Sequence, residues 1–162
     1  MWADFAADRW SLPLATFVDG ELVGMQDLLG EQFPIRRTVT TGSWLVRAHQ
    51  GRGIGTEMRS AVLHLAFAGL GAERAETEAF EENEASIRVS QRNGYVPNGD
   101  RIAVRDDAPA RLLRFVLRRE VWAARRRPDV EVTGLDDDAL ALFGLGPDDR
   151  RDRADATPAP GH

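Results

Sequence analysis

Apolar positions along the chain fall into short runs suited to strands, interrupted by two stripes of helical period. The opening "MWADFAADRW" spaces Trp2, Phe5, Ala6 and Trp10 as one helical stripe. "SLPLATF" and "VDGELVG" then flank Asp19-Gly20, a hairpin signal because glycine tolerates the positive φ of a tight turn. This pattern predicts strands over 12–18 and 21–29, and a Thr-, Val- and Ile-rich run from Ile35 to Val46 completes an antiparallel meander. Ile54, Met58, Ala61, Val62, Leu65 and Ala66 recur at helical spacing and predict a helix over 54–69, ended by Gly69 and Gly71. A strand over 73–80 follows, then a helix between the N-cap Asn83 and the terminator Gly94. Two further strands, over 100–105 and 110–118, flank the turn "RDDAPA". The order is that of a mixed α/β (α+β) domain: a mostly antiparallel mixed sheet with flanking helices.

A chain of 162 residues suits one core. The domain is expected over 1–125, and an extension over 126–146 is expected to dock through Leu140, Leu142 and Phe143. Residues 147–162 lack aromatics and branched aliphatics, so they are expected to be disordered. No apolar run approaches the roughly 20 residues of a membrane span, and the start has no signal-peptide pattern, so a cytoplasmic location is expected.

Composition removes several chemistries. Cysteine is absent, which excludes disulfides and thiolate catalysis. Lysine is absent too, which excludes Schiff-base catalysis and a Walker-type phosphate loop. A net charge of −5 argues against nucleic acid as a partner. The three histidines, His49, His64 and His162, are scattered without ligand spacing, so no metal is expected; His64 lies off the apolar stripe and is expected at the surface.

"HQGRGIGTEM", residues 49–58, carries the candidate chemistry. Gly51, Gly53 and Gly55 lead from a strand into a helix, which sets bare main-chain N–H groups at the positive end of a helix dipole, where an anion binds. The spacing is neither the G-x-G-x-x-G of dinucleotide binders nor a Walker loop.

Gln50-x-x-Gly53-x-Gly55 resembles the Q/R-x-x-G-x-G/A signature of the GNAT superfamily of acyl-CoA-dependent N-acetyltransferases. "NEASIRVSQRNGY", Asn83 to Tyr95, is similar to that family's second helix in the branch that acetylates ribosomal-protein N-termini. The resemblance covers roughly residues 12–118. It implies a splayed central strand pair and acetyl-CoA as co-substrate. By the same resemblance, Leu45, Val46 and Arg47 would offer main-chain bonds to pantetheine. Gly51, Arg52, Gly53, Ile54, Gly55 and Thr56 would carry the phosphates, with Asn83 touching the pantetheine arm and a backbone N–H near Val46 serving the oxyanion.

Many relatives place a tyrosine four residues after the position of Ser86; that position here is Ser90. The two serines share a helix face, so either hydroxyl is a candidate donor to the leaving thiolate. Tyr95 matches a packing aromatic instead. Glu76, Glu78, Asp27 and His49 are available as bases, and none is singled out. Relatives begin with a strand and two helices that this sequence lacks before its hairpin, and a core edge left open would favour a homodimer. The expected activity is acetyl transfer from acetyl-CoA to a primary amine by direct attack in a ternary complex, the acceptor being unidentified. The alternative is a catalytically impaired acyl-CoA-binding or interaction protein of the same fold.

Overall fold

The computed structural model describes residues 6–146 and 149. Strands β1 (Arg9–Val18), β2 (Glu21–Glu31) and β3 (Thr38–Leu45) form the expected antiparallel meander. Asp19 (φ 51°) and Gly20 (φ 82°) both adopt the left-handed geometry of the predicted tight turn. The opening segment departs from expectation. Trp10 belongs to β1 and not to a helix, while Trp2 and Phe5 lie outside the described residues. A single helical turn, α1 (Phe33–Arg36), which the apolar pattern did not predict, links β2 to β3 between left-handed Gln32 and Arg37.

Helix α2 (Ile54–His64) follows β3, and the expected last turn at 65–69 widens, with the Leu70 N–H bonded to Leu65 O at 2.9 Å. Then come β4 (Arg74–Phe80), α3 (Glu84–Arg92), β5 (Val96–Arg105) and β6 (Ala108–Arg118). Asp106 and Asp107 alone make the last hairpin turn, which leaves Pro109 on β6 opposite Val104. Two short helices, α4 (Arg119–Ala123) and α5 (Asp137–Leu142), complete the described chain. The sheet order is β1-β2-β3-β4-β6-β5, with β3 and β4 its one parallel pair.

The core lies between the sheet and the helices α2 and α3. Trp10 anchors one end, edge-on to Phe33 (5.5 Å) and to Phe143 (4.9 Å), so that Leu140, Phe143 and Leu145 are buried with it. Phe67 stacks on Trp122 at 5.1 Å at the other end.

His64, expected at the surface, is half-buried with its ring edge-on to Trp122, and its Nδ1 has no partner among the described residues. Burial, and secondarily the charge of Arg126, hold its pKa below the usual 6.5. The unfolded chain therefore takes up this proton more readily. The stabilising contribution is complete above pH 6.5 and is lost as the pH falls from there towards the depressed value. Chemical denaturation across pH 5 to 8 should show His64→Leu less acid-sensitive than the parent, and parallel profiles would contradict this.

Candidate active site

Only three residue pairs join β3 to β4, Thr38 to Thr40 against Arg74 to Glu76. Two threonine side chains then replace the ladder. Thr77 Oγ1 donates to Thr41 O at 2.8 Å and Thr41 Oγ1 to Glu76 O at 3.4 Å, and past them the strands part. On the other edge of β3, the Val46 N–H donates to Val23 O at 2.8 Å. Successive residues of an antiparallel ladder point their main-chain groups in opposite directions. Ser43 and Leu45 therefore turn theirs away from β2, into the gap.

A groove of about 430 Å³ occupies this gap. Ser43, Trp44 and Leu45 form its strand wall, and Gln50, Gly51, Gly53, Gly55, Thr56 and Met58 its floor. Helix α3 supplies the opposite wall through Ala85, Ser86, Val89 and Arg92, with Asn83 and Arg88 at the rim.

The loop at the head of α2 is built for exposed amides. Gly51 (φ 75°) and Gly53 (φ 85°) are left-handed, and a Cβ on either would meet no protein atom within 4 Å; their glycines serve backbone conformation. At Gly55 a Cβ would stand 3.4 Å from a Val89 methyl, at the near edge of ordinary contact. The N–H groups of Gly51, Arg52, Gly53, Ile54 and Gly55 have no acceptor among the described residues. Thr56 differs: its N–H is bonded to Gly53 O at 3.0 Å, although the residue itself faces the groove.

Other expected site residues are placed unevenly. Leu45 lines the groove, and its carbonyl accepts from Gln50 Nε2 at 3.0 Å. Val46 is not on the groove wall: its N–H is committed to β2 and its carbonyl to the His49 N–H, so of the amides near it the one turned into the gap is that of Leu45. Arg47 is also off the wall, with its carbonyl taken by the Gln50 N–H at 3.2 Å. Arg52 lies against His49 (3.5 Å) rather than over the groove, and the Ile54 side chain does not reach it.

Asn83 caps α3 by accepting from the Ser86 N–H at 3.1 Å. Ser86 reaches the groove. Ser90 does not: it is fully buried, and its hydroxyl donates back to Ser86 O at 3.1 Å.

The carboxylates sit elsewhere. Thr77 points at α2, so Glu76 and Glu78 point to the opposite face of the sheet. There Glu76 pairs with Arg74 at 2.7 Å and Glu78 with Arg101 at 2.8 Å. His49 contacts Glu21 at 3.3 Å. Asp27 alternates with buried Gln26 and Leu28 and so also faces away from the helices. Tyr95 is a packing residue, as expected: it is buried, with its hydroxyl 3.0 Å from Thr41 Oγ1. Burial raises its pKa, against the opposing charge of Arg59 and its hydrogen bonds, so it stays a neutral phenol.

Seven groove residues escaped the sequence reading: Ser43, Trp44, Met58, Ala85, Arg88, Val89 and Arg92. Arg88 and Arg92 were legible, because they stand i+4 apart and Arg92 falls a helical repeat from Ala85. Ser43 and Met58 were not, since strand splay and helix packing alone bring them to the gap.

Among the described residues, no helix is long and apolar enough to cross a membrane and no cluster of His, Asp and Glu has metal-site geometry. Comparison with known proteins agrees with the architecture. The family model of the acetyltransferase (GNAT) domain matches residues 2–96. Among solved structures, RimJ of Mycobacterium smegmatis, in complex with CoA-disulfide, is 25% identical with a TM-score of 0.62, over 68% of this chain and 54% of that one. RimL, a ribosomal L7/L12 α-N-protein acetyltransferase in complex with coenzyme A, is 19% identical at 0.62, over 67% and 62%. A spermidine N-acetyltransferase, SpeG from Vibrio cholerae, is 18% identical at 0.65, over 71% and 69%. The chain thus spans less than two-thirds of the length of RimJ and RimL, and the likenesses to RimL and SpeG are likenesses of fold.

Proposed function

The chain belongs to the GNAT acetyltransferase family by the match over residues 2–96, and we propose that it moves an acetyl group from acetyl-CoA to a primary amine by direct attack in a ternary complex. One observation carries this reading: five amides, Gly51 to Gly55, stand at the head of α2 without an acceptor among the described residues, and Gly51, Gly53 and Gly55 border the groove between β3 and β4. Amides in that position, reinforced by the helix dipole, hold a diphosphate. Arg88 and Arg92 add cationic charge along the same groove. The main chain of Ser43 and Leu45 is the edge along which a pantetheine arm would lie, in place of Val46 and Arg47.

Acetyl-CoA supplies the activated acyl group. The amine nitrogen bonds to the carbonyl carbon and the C–S bond breaks; nitrogen sheds one proton and sulfur gains one. Ser86, the α3 serine that reaches the groove, donates to the departing sulfur, whereas the Ser90 hydroxyl is spent on the helix. The absence of cysteine and lysine disfavours an acyl-enzyme.

No carboxylate or imidazole lines the groove among the described residues. The acceptor therefore has to arrive nearly deprotonated. An α-amine of pKa near 8 costs only about 1.4 kcal/mol to deprotonate at pH 7, against roughly 4.6 kcal/mol for a lysine amine. The preferred acceptor is an α-amine, peptidic or small. Release of free CoA should be followed with short peptides of free N-terminus, spermidine, and a lysine peptide blocked at its N-terminus. More than tenfold preference for the free N-terminus is expected. Turnover confined to side-chain or polyamine nitrogens would sink the α-amine reading, and CoA binding without release on any amine would leave a binding protein.

A further inference from the structure

Arg59 is 1% exposed, and its guanidinium meets no carboxylate among the described residues. It donates to neutral oxygens: Nε to Gln26 Oε1 at 3.5 Å, Nη1 to Thr77 Oγ1 at 3.2 Å and Nη2 to Ser43 Oγ at 2.9 Å. A guanidinium does not shed its charge, and a buried cation without a counter-charge is costly. Such a group calls for a use.

The hydrogens of its partners indicate one. Gln26 passes its own hydrogen to the carbonyl of Gly42, and Thr77 passes its hydroxyl hydrogen to Thr41 O. Ser43 has no such outlet. Arginine can only donate, so the Ser43 oxygen accepts from Arg59 and its own O–H must point elsewhere; no described residue accepts it. Ser43 is also the exposed member of the set, on the groove wall where β3 leaves β4. It is a hydroxyl polarised by a buried cation and committed to donating outward.

We infer that the Ser43 hydroxyl donates a hydrogen bond to the thioester carbonyl oxygen, and that Arg59 is the positioning residue that holds it as a donor. This rests on the acetyl-transfer reading. As nitrogen bonds to the carbonyl carbon, the C=O electron pair moves onto oxygen, where the Ser43 O–H meets it. The pair returns as the C–S bond breaks, and Ser43 keeps its proton throughout. The arrangement adds a side-chain donor to the wall on which a main-chain N–H near Val46 was expected to serve, the Val46 amide itself being bonded to β2.

Isotope-edited infrared spectroscopy with carbonyl-labelled acetyl-CoA tests the contact without turnover. The bound carbonyl band of the parent should lie at lower wavenumber than that of Ser43→Ala, with Ser43→Thr restoring it. In parallel, Ser43→Ala should lower kcat by about 10² to 10³ with little change in KM for acetyl-CoA, the cost of losing one oxyanion donor. Arg59→Met, which keeps the serine, should move the band towards the Ser43→Ala position; if that protein does not fold, the two serine variants decide. An unchanged band and kcat in Ser43→Ala, beside an active parent, overturns this inference alone. A parent that binds no acetyl-CoA overturns the acetyl-transfer reading and this inference with it.

Discussion

Gly53→Val is expected to raise the Kd for CoA by about 100-fold or more while the protein stays folded. Gly53 holds φ 85° at the head of α2, a geometry that costs an L-residue roughly 1–2 kcal/mol and a β-branched one more. The surroundings offer no clash, because a Cβ there meets open space. The loop escapes the strain by turning its backbone, which moves the amides of Gly53 and Ile54 off a common target. Losing two charge-assisted bonds of about 1.5 kcal/mol each gives the expected factor. Isothermal titration with CoA, next to a melting curve, checks it. A folded Gly53→Val protein that binds CoA like the parent would falsify the anion-loop assignment.

Thr77→Val should be the most damaging change of equal volume in the core, at about 3 kcal/mol, a fall in Tm of roughly 10 °C. Valine removes one hydroxyl that does two jobs: it accepts from Arg59 and donates to Thr41 O. Both groups are then left buried and unsatisfied. Arg59→Met should cost less, because removing the buried charge itself leaves Thr77 bonded to Thr41 and Gln26 bonded to Gly42. Urea denaturation of the two variants measures the order, and a milder loss in Thr77→Val than in Arg59→Met would show that water reaches the guanidinium.

These two residues mark the boundary between what was legible and what was not. Gly53 announced itself through local geometry, since three alternating glycines before an apolar helical stripe have few other physical explanations. Asn83 was equally plain, because capping is a contact between residues three apart. Ser86 and Ser90 looked equivalent, being four apart on one face, and only the packing of α3 against α2 and the sheet buried one and exposed the other. Val46 was misplaced for a related reason: the sequence fixes no ladder phase, and one residue of register decides which amides face β2 and which face the gap.

The amino-acid order by itself determined the meander, the two long helices, the glycine loop at the head of α2 and the family, all of which follow from periodicity and contacts a few residues apart. Tertiary structure alone decided where β3 and β4 part and which serine meets the groove. It also brought Arg59, from a helix, against Gln26, Ser43 and Thr77 on three separate strands. The difference is physical: a hydrogen bond between residues 16 to 33 positions apart leaves no period in the chain, and is fixed only when the sheet and α2 close around a shared core.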